Sequence, residues 1–356
     1  MAEKQIHSHG GTPVARFIAE IMLIAADIAA LVYFFIAGLD STPFEGAANV
    51  FICLGLTVAA LAVWYFVHNV LHESFHLIFA KIKGAKILEF GVIGLLIYTE
   101  GDRKKFSLNL RSAYAGWVSF VCDDPEKSKP TLIISLVGGL VGTLLTAAVI
   151  LAVYLSTRNY ITYYLVFMGL FTVAYMIIVN YLVGTYTSDG AMLFSKKLGG
   201  KHLERSADNL RTESYLYRGF SLAEIPTAKG VEGAGYYDAL ACLERGDVEG
   251  AKRIIETGLD EKNIDNEVIA LLFEKMFIAC IQKDDKTIEQ LKYVFTDYDE
   301  RAAYAYRAQI AYRLYTGETE WAKTIEKTYS RQLEKLPLSG LIKTERNIYK
   351  TFVRPL

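Results

Sequence analysis

Between residues 49 and 80 the chain reads NVFICLGLTVAALAVWYFVHNVLHESFHLIFA, a run with no lysine or arginine and a single carboxylate, Glu73. About 20 helical residues cross the hydrocarbon of a bilayer. Inside lipid each backbone amide must be bonded within its own segment, so a run of this kind has the helix as its outlet. Three more runs, roughly 17–38, 131–155 and 160–184, have the same character. The expected fold class is mainly α, a polytopic membrane helix bundle of about four spans. At 52% hydrophobic residues the composition points the same way. The polar opening MAEKQIHSHGGTPVAR is too long before its first apolar run to resemble a cleaved signal peptide, so that run is expected to be retained.

Basic residues in short loops orient such a chain. Lys4 and Arg16 precede the first run, whereas the following loop, LDSTPFEGAAN, has two acids and no base. Lys81, Lys83, Lys86, Arg103, Lys104, Lys105 and Arg111 follow the second, and Lys196, Lys197 and Lys201 follow the fourth. Both termini and the segment 82–130 are therefore expected on the cytoplasmic side. Within that segment AKILEFGVIGLLIYTEGDRKKFSLNL is interrupted by glycines and a TEGDRK turn, and it reads as a β-hairpin or small sheet lying against the membrane face.

Past about residue 198 charges become frequent and apolar residues recur at helical spacing, which divides the chain into a membrane domain, 1–198, and a cytoplasmic helical domain, 199–356. Polar turns at Asp247, Asp284 and Glu318 are spaced by 37 and 34 residues, and each is followed four positions later by Ala251, Ile288 or Ala322. That period suggests stacked helical hairpins of the tetratricopeptide kind, a surface for a cytoplasmic protein partner. The aromatic residues of 302–315 fall at helical spacing and read as core. A formal net charge of −1 offers no basic surplus for nucleic acid. Cys53, Cys122, Cys242 and Cys280 form no CxxC pair and indicate neither a disulfide framework nor a thiolate zinc site.

His72, Glu73 and His76 form HExxH. On a helix, positions i and i+4 share a face, so both imidazoles can bind one zinc ion, with the adjacent carboxylate placed as general base toward water. Ionisable residues inside a membrane are costly and by default mark function. A catalytic zinc takes a third protein ligand. Asp189, in VNYLVGTYTSDGAMLF, is the candidate: measured along helices from Lys81 and Lys196, His72 and Asp189 lie at similar depths from one membrane face. His68, one turn before His72, reads as an outer hydrogen-bond partner, as lining for a water path, or as a satisfied bundle histidine. Glu20 and Asp27 share a face of the first run, and pairing with His68 or a substrate gate are both open to Asp27. His7 and His9 read as a solvated tail.

In this order of elements the chain resembles the site-2 protease group of intramembrane zinc metallopeptidases. The residues that carry the likeness are HESFH, the β segment after it, the glycine-rich GGLVGTLLTAA, and NYLVGTYTSDG with its Asn180 and its Asp-Gly pair. The resemblance implies zinc held by His72, His76 and Asp189, Glu73 as base, and substrate-positioning roles for Asn180 and for Thr143, which stands where the family commonly has Asn. It implies hydrolysis of a membrane-spanning or membrane-associated peptide, with the segment near 87–110 able to hold the peptide as an added strand. The competing class is a catalytically silent membrane binding or immunity protein with the helical half as its working surface.

Overall fold

The computed structural model of the chain describes residues 46–101, 103–108, 116–156, 160–182, 188–194, 202–226, 235–260, 266–298 and 302–356, with isolated positions between 25 and 36. Most of the apolar run at 17–38, including Glu20 and Asp27, lies outside the described residues, as do His7, His9, Lys196, Lys197 and Lys201. The chain is mainly helical with one small antiparallel sheet. It divides into two units, Met1–Tyr98 with Phe106–Ala207, and Thr99–Lys105 with Asp208–Leu356.

In the first unit the run at 49–80 forms helix α1, Gly46–Ile82. The helix stops at a glycine: Gly84 adopts φ +80° and its N–H donates to Lys81 O at 2.9 Å. Strands β1 (Ala85–Val92), β2 (Leu95–Glu100), β3 (Arg103–Leu108) and β4 (Gly116–Cys122) follow in the sheet order β3-β2-β1-β4. Ile93 and Gly94, both at positive φ, make the two-residue turn between β1 and β2. On its other side β1 pairs antiparallel with β4, from Ala85 opposite Cys122 to Val92 opposite Gly116, with an irregularity between Ile87 and Glu89. The apolar stretch after α1 is thus spent on strands, and β4 lies at an edge of the sheet.

Helix α2, Ser128–Ser156, is entered through a Pro125–Lys127 turn capped by Asp124. It packs antiparallel to α1 along its small residues. A Cβ added at Gly138 would come 2.5 Å from Phe75 O, and one at Gly142 2.8 Å from Leu71 O, so side chains there would force the helices apart. Helix α3, Tyr160–Ile177, widens into a π turn at Ile178–Leu182. Its join to α1 is the Trp64 indole, which donates to Leu165 O at 2.6 Å within a core of Ala60, Trp64, Ile150, Val166, Met168 and Val173. The outer faces are apolar and open, with Phe51 73%, Ile82 69% and Leu155 65% exposed.

Two helices, Gly46–Ile82 and Pro125–Ser156, are long and apolar enough to cross a membrane, each with a hydropathy of 2.4. The run expected at 160–184 gives a shorter apolar helix, Leu165–Ile177, because the backbone widens at Ile178. Asp189 does not continue that helix, contrary to the depth reckoning. It opens a separate short helix, α4, Asp189–Leu193.

In the second unit α5, His202–Tyr217, leads into three helical hairpins. These are α6 (Tyr236–Glu244) with α7 (Val248–Asp260), α8 (Asn266–Gln282) with α9 (Asp285–Leu291), and, after the short α10 (Val294–Asp297), α11 (Ala303–Tyr315) with α12 (Thr319–Leu333). Helix α13, Ser339–Ile348, closes the unit. Each hairpin turns on a residue at positive φ, Gly246, Lys283 or Gly317. The first two then start their second helix with an aspartate cap: Asp247 Oδ1 accepts from Gly250 N at 2.8 Å and Asp284 Oδ1 from Thr287 N at 3.1 Å. Ala251, Ile288 and Ala322 are all buried, which explains the repeat in physical terms: each is the first inward position after its turn. Tyr304 packs on Phe273 and Tyr312 on Phe295, so the aromatic spacing in α11 serves the core.

Candidate metal centre

His72 and His76 project from one face of α1 and are buried, as is Glu73 beside them. The two Nε2 atoms lie 3.1 Å apart, and Asp189 Oδ2 lies 3.2 Å from the first and 3.1 Å from the second. Three potential metal ligands from two elements far apart in sequence therefore converge at one point.

The remaining ring nitrogens decide what that point can hold. His76 Nδ1 faces the Ser135 carbonyl at 2.7 Å, and a carbonyl only accepts, so the Nδ1 proton is committed there. His72 Nδ1 lies 3.1 Å from Thr143 Oγ1, whose own hydroxyl donates to Gly139 O at 3.1 Å. The hydroxyl oxygen therefore accepts from His72. Both neutral imidazoles are thereby fixed with the Nε2 lone pair inward. With the carboxylate, three potential ligand atoms meet at one point, an arrangement that could hold a metal ion. An outer hydrogen bond that sets the tautomer is what metal-ligating histidines typically have. The donor set, two imidazole nitrogens and a carboxylate oxygen, fits zinc with a position left open.

Close approach makes the convergence possible. At Gly139 a Cβ would sit 2.3 Å from His76 Nε2 and 2.8 Å from Asp189 Oδ2, so a side chain there would occupy the centre itself. At Gly190 a Cβ would meet Tyr181 Cα at 2.4 Å and Asn180 O at 2.8 Å. The Asp-Gly pair is therefore a packing device in which the glycine lets α4 lie on the π turn and the aspartate turns to the histidines. Tyr181, in that turn, donates from its hydroxyl to Asp189 Oδ2 at 3.2 Å and orients the carboxylate.

Glu73 meets the sheet rather than the convergence point. A Cβ on Gly116 would fall 2.5 Å from Glu73 Cγ and 2.6 Å from its Oε1, so the first residue of edge strand β4 passes directly over this carboxylate. Of the residues read from sequence, His72, His76, Asp189 and Thr143 are brought together, and Asn180 contributes backbone beneath Gly190. His68 is buried beside the cluster, its ring stacked on that of His72 at 5.5 Å. Among the described residues neither of its ring nitrogens has a hydrogen-bond partner, and the pairing with Asp27 lies outside them. Sequence reasoning passed over Ser135, Tyr181 and Gly116. Only the GGxxG spacing of α2 hinted at a close helix contact.

Comparison of the chain with protein-family models, curated proteins and solved structures finds no match.

Proposed function

We propose that the chain is an intramembrane zinc metallopeptidase of the site-2 protease type, which hydrolyses peptide bonds of membrane-spanning or membrane-associated peptides. The observation that carries this reading is the meeting of two inward lone pairs from HExxH with the Asp189 carboxylate, the histidines buried and the carboxylate half-buried, with Glu73 alongside. The exposed apolar faces of α1 and α2 support its setting: belts of this size on a monomer mark contact with lipid or protein. In the full proposal about four spans cross the membrane, and both termini and the tetratricopeptide-like 199–356 domain are cytoplasmic, the latter available to a protein partner.

Zinc, when bound, supplies Lewis acidity toward water and toward the scissile carbonyl. His72, His76 and Asp189 hold it, while Thr143, Ser135 and Tyr181 keep those ligands in their metal-facing orientation. Glu73 takes a proton from the attacking water and returns it to the leaving amine. Substrate backbone, unwound to expose its carbonyl, pairs along the edge of the sheet, and Gly116 brings the β4 backbone next to Glu73. Burial of the whole group strengthens each of these electrostatic contacts.

The test is a comparison of membrane peptides in cells that express the wild-type or the Glu73→Gln chain, with zinc content measured on both purified proteins. Glu73→Gln is expected to keep about one zinc per chain, because it is not a ligand. Cleavage should fall by about 10²-fold or more, the range for a lost general base. Loss of zinc together with activity would remove Glu73 from its assigned role, and an unchanged peptide profile would remove the protease reading.

A further inference from the structure

His68 is 1% exposed, and its two ring nitrogens are the only buried side-chain nitrogen or oxygen atoms without a hydrogen-bond partner among the described residues. An unmade hydrogen bond in an apolar interior is destabilising. Leucine or phenylalanine at this position would fill the space without that penalty, so packing does not account for the imidazole. Its position is specific as well. The ring lies 5.5 Å from the His72 ring at an interplanar angle of 26°, facing it across a gap. Imidazole nitrogens bond in the plane of the ring, so the stacked His72 ring cannot serve the His68 nitrogens as a partner. By the antiparallel register that sets Gly142 against Leu71 and His72, Thr146 of α2 falls at the level of His68, one turn further on. Thr146 is fully buried and gives its proton to Gly142 O at 3.0 Å, which leaves its oxygen as an acceptor. A buried water needs two to four polar partners. This layer of the bundle provides two, a His68 ring nitrogen and the Thr146 oxygen.

We propose that His68 holds a buried water beside the His72, His76 and Asp189 cluster, and is a positioning residue for the water that hydrolysis consumes. This rests on the hydrolytic reading of the same site. In a bilayer, bulk water does not reach such a depth unaided, and a His68 nitrogen with the Thr146 oxygen retains a single molecule next to the reacting position. His68 then remains polar at the expense of stability for the sake of hydration.

The test uses the detergent-solubilised full chain loaded with Cu²⁺ as a spectroscopic probe and exchanged into D₂O, with electron spin-echo modulation separating the deuterons of a nearby, unligated water from those of water on the metal. Wild type and His68→Gln, which keeps a donor and an acceptor, are expected to show the modulation of the unligated water. His68→Phe and His68→Leu should bind the metal with unchanged stoichiometry, lose that modulation, and melt at a higher temperature than wild type. Leucine serves as the second apolar variant should the larger ring overpack. Retention of the modulation in both apolar variants overturns the proposal, as does its loss in His68→Gln. Peptide cleavage is not among these readouts, so a chain that passes them and cuts nothing fails only as a protease. A wild-type chain that loads no metal overturns both readings.

Discussion

Two buried constellations, one in each unit, are built from similar parts and differ in whether the chain supplies a cationic side chain. In the helical unit Arg307 is fully buried between Glu274 and Glu345. Its NH1 and NH2 donate to Glu274 at 3.1 and 2.7 Å, and its Nε donates to Glu345 at 2.8 Å. The Tyr329 hydroxyl adds a bond to Glu345 at 3.0 Å, and the guanidinium lies over the Phe277 ring at 4.4 Å. Every acceptor there faces a donor that belongs to the chain. At His72, His76 and Asp189 no arginine or lysine faces the carboxylate among the described residues: the imidazole Nδ1 atoms are turned outward, to Ser135 and Thr143, and Asp189 accepts from the Tyr181 hydroxyl. The contrast teaches how to distinguish a structural ion cluster from a candidate binding centre by asking whether the chain supplies the cation. One cluster has its own cation in Arg307; the other is a group of three potential metal ligands and has no such side chain among the described residues.

Removing the carboxylate from the cluster of potential metal ligands should have the largest effect. Asp189→Ala leaves two neutral nitrogens, and zinc affinity should fall by more than the roughly 10–100-fold that follows loss of an outer hydrogen bond. Zinc content after dialysis against a chelator measures this, and wild-type retention would place the third ligand elsewhere. In the other cluster, Arg307→Met strands two buried carboxylates and should destabilise the helical unit by about 3–5 kcal/mol. Native-state hydrogen exchange of the α8 amides in the full chain reads that change. Zinc should not restore it, whereas joint replacement of Glu274, Arg307 and Glu345 by apolar residues of similar volume should recover most of the loss. A restoration by zinc would erase the distinction between the clusters.

Two smaller effects sharpen the comparison. Thr143→Val removes the hydroxyl that receives the His72 proton, so zinc affinity should fall about 10–100-fold while the fold persists. Equilibrium competition with a chelator gives the number, and an unchanged affinity would show that Thr143 does not set the tautomer. The last effect concerns pH. Burial pushes the Glu274 carboxyl up to about 7 from its ordinary 4.5, with Arg307 opposing and the Glu345 charge assisting. Besides these, Tyr329 and Tyr236 face the cluster, and both are raised by burial first and by the glutamates next. Because the folded state holds a proton that the unfolded chain releases, the contribution is fully present below about 4.5 and is lost as pH rises through about 7. Exchange protection of α8, corrected for the intrinsic rate, should fall over that window and level off above it. Glu274→Gln should flatten the profile, and a wild-type profile that rises with pH would contradict the sign.

Much of the local structure was legible because it depends on neighbours along the chain. The apolar runs at 49–80 and 131–155 become α1 and α2, and the glycine-interrupted stretch between them becomes strands. Three polar turns at a common spacing become three hairpins with the same buried position beyond each. The placement of Asp189 was sought by counting residues along continuous helices, and the structure replaces that with a π turn and a new helix. The depth estimate could not see this, because a widened turn and a restarted helix leave no mark in apolar periodicity. Arg307 is one of two arginines, with Arg313, among the small and aromatic residues of α11, and nothing in that pattern marks it as buried. Its partners lie 33 and 38 residues away, on α8 and α13.

By itself the sequence determined that imidazoles at i and i+4 would share a face of an apolar helix, with a carboxylate next to them. Helical geometry repeats within one turn and needs no distant contact. Which lone pairs point inward, which carboxylate meets them, and that a strand edge passes over Glu73 were decided by the tertiary structure. Those facts depend on backbones approaching within a missing side chain's width at Gly139, Gly190 and Gly116. A close approach is a property of two segments at once, and neither segment encodes it alone.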